Sequence, residues 1–217
     1  SHEMRTPLTI IRSYLDLLLN YRPDTRDKEE EFLKIVENET LKLINQIDKI
    51  LHLTEIRGND VRLHLEIHSV EEIVRSAIER VAPLVEEKTI RIERQIGPDL
   101  PHLLVDRQKM IEILVDLLDN AVKFSPAGTA VTLGARETPA DRSGPSLTMW
   151  VADEGPGIDL EHQARIFEQF AQITEVATGK PRGIGLGLPI CKAYVERMGG
   201  KVWVESEREK GSTFFLS

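Results

Sequence analysis

Several short segments of this 217-residue sequence carry side chains suited to phosphate chemistry. His2 is followed directly by Glu3, with Thr6 and Pro7 one helical turn later. A neutral imidazole is a nucleophile, and a neighbouring carboxylate can hold its ring proton. Asn120 lies in the run Leu114-Val115-Asp116-Leu117-Leu118-Asp119-Asn120-Ala121-Val122-Lys123-Phe124. An amide carbonyl is a hard oxygen ligand of the kind Mg²⁺ takes. Asp116 four residues before it and Lys123 three after it share its helical face, so a carboxylate and a phosphate-neutralising cation stand beside it. Asp153 opens Asp153-Glu154-Gly155-Pro156-Gly157. A carboxylate there can accept a hydrogen bond from an uncharged amine, while Gly155 and Gly157 let backbone approach a ligand closely. Gly183, Gly185 and Gly187 precede Leu188, where the amides at a helix start form an anion site. No GxxxxGK[ST] segment occurs, no glycine-rich strand–turn–helix, and neither HRD nor DFG, which excludes P-loop, Rossmann and protein-kinase sites.

Two kinds of element must position these groups. Leu8, Ile11, Leu15 and Leu18, then Leu33, Val36, Thr40, Ile44, Ile47, Leu51 and Thr54, repeat at helical spacing. With Tyr21-Arg22-Pro23-Asp24-Thr25 as the turn, residues 1–57 predict a helical hairpin. One apolar stripe per helix does not close a core, so two copies are expected to pair as a four-helix bundle. The second arm is longer by about 15 Å at 1.5 Å per residue, which leaves Ile47, Ile50 and Leu51 without partners. Residues upstream of Ser1 are expected to supply them, and the chain reads as an excised piece of a longer protein.

After a hinge at residues 58–60, residues 61–217 predict an α+β domain. Val61–Ile67, Thr89–Ile96, Val131–Arg136, Leu147–Ala152, Lys201–Ser206 and Thr213–Leu216 read as strands. Helices are expected from a capping box at Ser69 to Glu87, over Asp106–Phe124, over Leu160–Phe170 and over Leu188–Met198. Thr138–Ser146 reads as a polar loop. Trp150 and Trp203 are expected in the core, and the other histidines as structural or solvated.

Composition narrows the classes. The net charge of −8, from 28 basic and 36 acidic residues, argues against binding a nucleic-acid backbone. One cysteine excludes a disulfide scaffold. No stretch approaches the roughly 18 apolar residues of a membrane span, and no signal peptide is evident.

The segments 1–8, 114–126, 153–158 and 183–190, in that order, resemble the H, N, G1 and G2 boxes of sensor histidine kinases of two-component systems. Ile166-Phe167-Glu168-Gln169-Phe170 resembles the F box, and Lys210-Gly211-Ser212-Thr213-Phe214 the last glycine motif. The resemblance implies a dimerising phosphotransfer hairpin followed by a two-layer α+β ATP-binding domain of the GHKL (Bergerat) type. It implies that His2 takes the γ-phosphoryl group of ATP with Glu3 assisting, and that the group then passes to an Asp of a response-regulator receiver domain. Thr6 would orient a water for dephosphorylation. ATP would be held by Asn120, Lys123, Asp153, Gly155, Gly157, Gly183, Gly185, Gly187, Leu188 and Thr213. Lys180 and Arg182 would reach it from a lid over Thr174–Arg182, and Mg²⁺ would sit at Asn120 and Asp116. The setting implied is cytoplasmic, with no membrane contact by these residues. Three positions depart from the family pattern: Asp116 stands where Asn is usual, Phe124 where Tyr is common, and Gln169 where a basic residue is usual. Two other readings share the nucleotide boxes. One is a GHKL ATPase that drives conformational change, which has no use for His2 on a hairpin. The other is a degenerate binding module without catalysis.

Overall fold

The computed structural model describes residues 2–21, 25–58, 62–141, 144–171 and 185–217, and all their side chains except those of residues 2, 3, 57, 139–141 and 144–146. The N-terminal part is the expected hairpin. Helix α1 (His2–Asp16) runs into a π turn (Leu17–Tyr21) and is antiparallel to α2 (Arg26–Gly58). Thr25 caps α2, its hydroxyl accepting from the Lys28 N–H at 3.4 Å. Pro7 is buried in the first turns of α1, where its missing N–H costs little. The Tyr14 and Phe32 rings meet edge-on at 5.1 Å and set the pairing of the two helices. Leu8, Leu15, Leu33, Ile44, Ile47 and Leu51 remain exposed along the pair. Helix α2 continues through Gly58, past the expected start of the hinge; Asn59 and Asp60, like the turn at 22–24, lie outside the described residues.

The second part is built on a five-stranded sheet. Its strands are β2 (Arg91–Ile96), β4 (Ala130–Asp141), β5 (Gly144–Asp153), β6 (Val202–Glu207) and β7 (Gly211–Leu216). Their order is β2-β4-β5-β7-β6, with only the β2–β4 pair parallel. Helices α3 (Val70–Glu87), α4 (Arg107–Phe124) and α6 (Gly187–Arg197) cover one face. A short ladder pairs β1 (Glu66–His68) with β3 (Leu103–Val105).

The core lies between this sheet and the helices. Val131, Leu133 and Ala135 of β4, Met149 and Val151 of β5, and Phe214 and Leu216 of β7 alternate inward. They meet Ile113, Leu114, Leu117, Leu118 and Ala121 of α4. Asp106 caps α4 by accepting from the Lys109 N–H at 3.1 Å, and its other oxygen accepts from the His64 N–H at 3.1 Å. That second bond ties residues 62–65 to the helix start. They join no ladder, so the expected strand Val61–Ile67 reduces to β1.

Other expectations are corrected by longer-range geometry. Ser69 precedes α3, but its side chain makes no capping bond. The expected loop 138–146 is instead the end of a hairpin, β4 reaching Asp141 and β5 starting at Gly144. The Thr138 and Thr148 hydroxyls share a 2.6 Å bond across it. Leu160–Phe170 breaks into α5 (Leu160–Gln163) and a 3₁₀ turn (Arg165–Phe167). Trp150 and Trp203 are not in the core. Gly134, Trp150, Phe215 and Trp203 form one cross-strand row on the face away from the helices, with Trp203 stacked on Phe215 at 5.1 Å. A side chain at Gly134 would collide with the Trp150 ring.

The last turns of α2 pack on the second part. Leu53 is buried, and Ile50 and Ile56 lie against the same core. Ile50 is thus partly covered, whereas Ile47 and Leu51 stay exposed. Leu117, fully buried between sheet and helices, is the sharpest probe of this packing. Leu117→Ala is expected to lower the unfolding free energy by about 3 kcal/mol, measured by urea denaturation.

Candidate functional site

Strand β5 ends at Asp153, in the middle of the sheet and on its helix-covered side. Asp153 Oδ1 accepts from the Gly155 N–H at 2.8 Å and the Ser212 N–H at 3.3 Å. Among the described residues no donor reaches Oδ2. Burial raises the Asp153 pKa to about 6, although both N–H groups work in the opposite direction. The result is a fixed, half-buried carboxylate with one oxygen available. Gly155 packs against the end of α4: a side chain there would come within 3.2 Å of the Phe124 carbonyl and 2.7 Å of Asp153 Oδ1. Gly157 has φ +73° and lies against the Glu207 carbonyl, so only glycine fits the turn.

Thr213, expected among the ATP contacts, is not the residue of β7 beside this carboxylate. The register instead pairs Asp153 with Ser212, and Thr213 with Ala152. Side chains alternate along β7, so Ser212 shares the face of Asp153 and Thr213 points to the other. Ser212 is buried, and its hydroxyl bonds that of Ser206 at 3.1 Å. Its signal in the sequence was its place directly after Gly211.

Along α4, the leucines face the core and Asp116, Asn120 and Lys123 form a polar edge. Lys88 donates to the Val122 carbonyl at 2.7 Å and to that of Lys123, holding the C-terminal end of the helix. Lys123 lies over the Phe124 ring at 5.5 Å. Asp116 accepts from Lys49 of α2 at 2.9 Å. Burial acts to lower the Lys49 pKa, but Asp116, with smaller contributions from Cys191 and Asp119, holds the ammonium above the ordinary lysine value. Lys49 was not singled out in the sequence, because 67 residues separate it from Asp116.

The α4 edge borders the start of α6. A side chain on Gly187, the first residue of that helix, would begin 3.4 Å from Asp116 Oδ2. Gly185 has φ +72°, and its carbonyl accepts from the Phe170 N–H at 3.0 Å. Leu188 anchors the first turn of α6 on the core. Ile166 is buried and Phe167 packs beside it, so the F-box segment braces this region. Gly183, Lys180, Arg182 and the rest of the expected lid lie outside the described residues.

On the hairpin, His2 and Glu3 belong to the first turn of α1, and their side chains lie outside the described residues. Thr6 and Pro7 line a cleft of about 200 Å³ with Glu39, Lys42 and Gln46 of α2. Asp153, Gly155, the α4 edge and Gly187 are thus brought into one continuous region, while Thr6 lies on the hairpin beside it. Among the described residues no group of three histidine, cysteine or carboxylate side chains is placed to hold a metal. No described helix is long and apolar enough to cross a membrane.

A carboxylate at a central strand end, a polar helix edge and a glycine-led helix over a mixed sheet define an ATP-binding domain. Residues 105–217 match the family described as histidine kinase-, DNA gyrase B- and HSP90-like ATPases, and the chain belongs to that family. Residues 1–59 match the His Kinase A phospho-acceptor domain, so the two parts are the domain pair of a two-component sensor histidine kinase. The sensor histidine kinase WalK of Bacillus subtilis is 30% identical over 98% of this chain and 34% of its own length. The alginate biosynthesis sensor protein KinB of Pseudomonas aeruginosa is 30% identical over all of this chain and 35% of its own length. The chain thus spans about a third of these two relatives. Full-length ShkA in complex with AMPPNP superposes with a TM-score of 0.75 at 32% identity, over 99% of this chain and 43% of that one. ThkA in complex with the response regulator TrrA shares the fold, with a TM-score of 0.75 at 22% identity over 99% of this chain and 58% of that one.

The raised Asp153 pKa yields a test with two signs. Asp153→Asn puts an amide donor where the free acceptor oxygen was. ATP affinity is expected to fall at least about 30-fold, the loss of a charge-assisted bond with a buried group left unpaired. Stability should move the other way. A carboxyl whose folded pKa lies above its unfolded value near 4 binds its proton more tightly in the folded state. Its ionisation therefore lowers stability progressively as pH rises through the window from about 4 to about 6. At pH 7.5 the Asn variant is expected to melt higher, with a gain in stability of up to about 3 kcal/mol, and below pH 4 the two chains should coincide. Calorimetric titration and thermal melts at both pH values check this.

Proposed function

We propose that this chain is an ATP-dependent protein-histidine kinase that phosphorylates His2 and passes the group to an aspartate of a response regulator. One observation carries the reading: Asp153, the Asn120 edge of α4 and the start of α6 line one region in a chain that also holds His2-Glu3-x-x-Thr6-Pro7 on a hairpin helix. Asp153 accepts from the adenine amine through its free oxygen, and Ser212 and Gly155 hold it in place. Gly157 lets backbone lie flat beside the base. The amides at Gly185 and Gly187 face the phosphates, with Lys123, Lys180 and Arg182 as further cations.

Mg²⁺ fits the donor set, since Asn120 offers an amide oxygen and Asp116 a carboxylate one turn away. There it would neutralise phosphate charge. The chain's own contribution is position. A ring nitrogen of His2 attacks the γ-phosphorus in line, the bond from that phosphorus to the bridging oxygen breaks, and ADP leaves. Glu3 holds the proton on the other ring nitrogen and stabilises the charge that develops. Thr6, one turn away, orients a water when the regulator is dephosphorylated. The exposed leucines and isoleucines of α1 and α2 pair with a second copy to close a four-helix bundle. The regulator docks on that bundle near Thr6. The protein acts at the cytoplasmic side.

The test is incubation with γ-labelled ATP and Mg²⁺, for this chain and for His2→Ala, followed by acid and base. The parent is expected to carry a base-stable, acid-labile label, and His2→Ala none. Label that persists in His2→Ala, or that survives acid, would overturn the assignment of His2.

A further inference from the structure

The nucleotide reading leaves the contact between Lys49 and Asp116 unexplained. Lys49 Nζ lies 2.9 Å from Asp116 Oδ1 and 3.8 Å from the point where a side chain on Gly187 would begin. A cation from the hairpin therefore stands between the phosphate-facing start of α6 and the metal-binding edge of α4. It does not stand alone. Four residues on, Leu53 is buried in the domain core. Seven residues on, the Ile56 carbonyl accepts from Arg197 of α6. Beside Leu53, His52 meets Tyr194 of α6 edge-on at 6.4 Å. Lys49, Leu53 and Ile56 share one face of α2, and Gln46 and Lys42 continue that face into the cleft beside Thr6 and Pro7.

This seam combines a buried apolar contact with a partly solvated ion pair. Leu53 is 6% exposed, whereas the Lys49 and Asp116 side chains are 38% and 24% exposed. A partly solvated pair of this kind holds weakly and can be opened by a competing cation. Asp116 lies one turn before Asn120. A divalent cation held at Asn120 would stand near the same carboxylate as the Lys49 ammonium, and the two cations would repel each other.

We propose that Lys49 and Asp116 form a clasp that docks the nucleotide domain on the hairpin, and that Mg²⁺-nucleotide bound at Asn120 opens the clasp by competing for Asp116. The proposal rests on the nucleotide reading above. Coupling between two binding events is reciprocal. If the nucleotide opens the clasp, then removing the clasp tightens the nucleotide. The departure of Asp116 from the usual Asn then has a consequence: an amide would not hold the lysine with a charge.

Lys49→Met keeps the apolar stem and removes the charge. Two readouts are taken on the 217-residue chain, neither of them turnover. The first is the affinity for a non-hydrolysable ATP analogue with Mg²⁺. The second is the distance between spin labels at Glu31→Cys on α2 and Glu93→Cys on β2, both exposed; the native Cys191 is buried and takes no label. Lys49→Met is expected to bind the analogue about two- to fivefold more tightly. Its label distances should be broadened without nucleotide to the extent that the parent's are with it. Equal affinity and equal distances in the two chains would overturn the clasp. Weaker binding in Lys49→Met would overturn it too, and would make Lys49 a phosphate contact. If neither chain binds the analogue, the nucleotide reading fails and nucleotide-driven opening fails with it. The nucleotide-free distances then decide the docking contact alone: broadening in Lys49→Met upholds it, and no change removes it.

Discussion

Helix α4 can sit in only one rotation about its axis, and the site depends on that. Leu114, Leu117 and Leu118 have no exposure at all, and Ile113 and Ala121 almost none. Each residue turns the helix by about 100°. A slip of one position would carry leucines into solvent and bring Asp116 or Asn120 into the core, where an unpaired polar group is costly. The apolar face thus aims the polar edge. Asp106 holds one end through its cap, and Lys88 holds the other through two carbonyls. The phosphate chemistry proposed for Asn120 and Lys123 rests on burial that those residues do not take part in.

Asp153 shows the converse relation, a functional group that the fold tolerates rather than benefits from. Its position at the end of a central strand buries it enough to raise its pKa to about 6. The N–H groups of Gly155 and Ser212 recover part of the cost and point one oxygen away from both. A carboxylate held under this tension gains most from a ligand donor, because the donor replaces solvent it lacks. Gly155 and Gly157 serve the same end by keeping side-chain bulk away from the carboxylate and from the turn beside it.

The two parts of the chain are packed together through one face of α2. Its middle stretch, at Glu39, Lys42 and Gln46, meets α1 beside Thr6 and Pro7, and its C-terminal stretch meets α4 and α6 through Lys49, Leu53 and Ile56. A shift or rotation of α2 would therefore act on the phosphoacceptor helix and on the nucleotide edge together. Two discrete packings of one helix face are the kind of element through which such domain pairs switch.

The amino-acid sequence by itself determined the order of the boxes, the helical hairpin, the amphipathic α4 and the strands β2, β4, β5, β6 and β7. These follow from periods of 3.6 and 2.0, which are local properties of the chain. It also determined Asn120, Asp153 and the glycine-led start of α6 as candidates, because their residue types sit beside the turns and helix ends that use them. Tertiary structure decided what local period cannot. It decided that Ser212 rather than Thr213 faces Asp153, since register sets the face. It reduced Val61–Ile67 to a three-residue strand, because Asp106 takes the His64 N–H. It placed Trp150 and Trp203 on the outer face, where alternation alone could not choose a side. And it brought Lys49 to Asp116, because a contact across 67 residues is made by packing and leaves no periodic mark in the sequence.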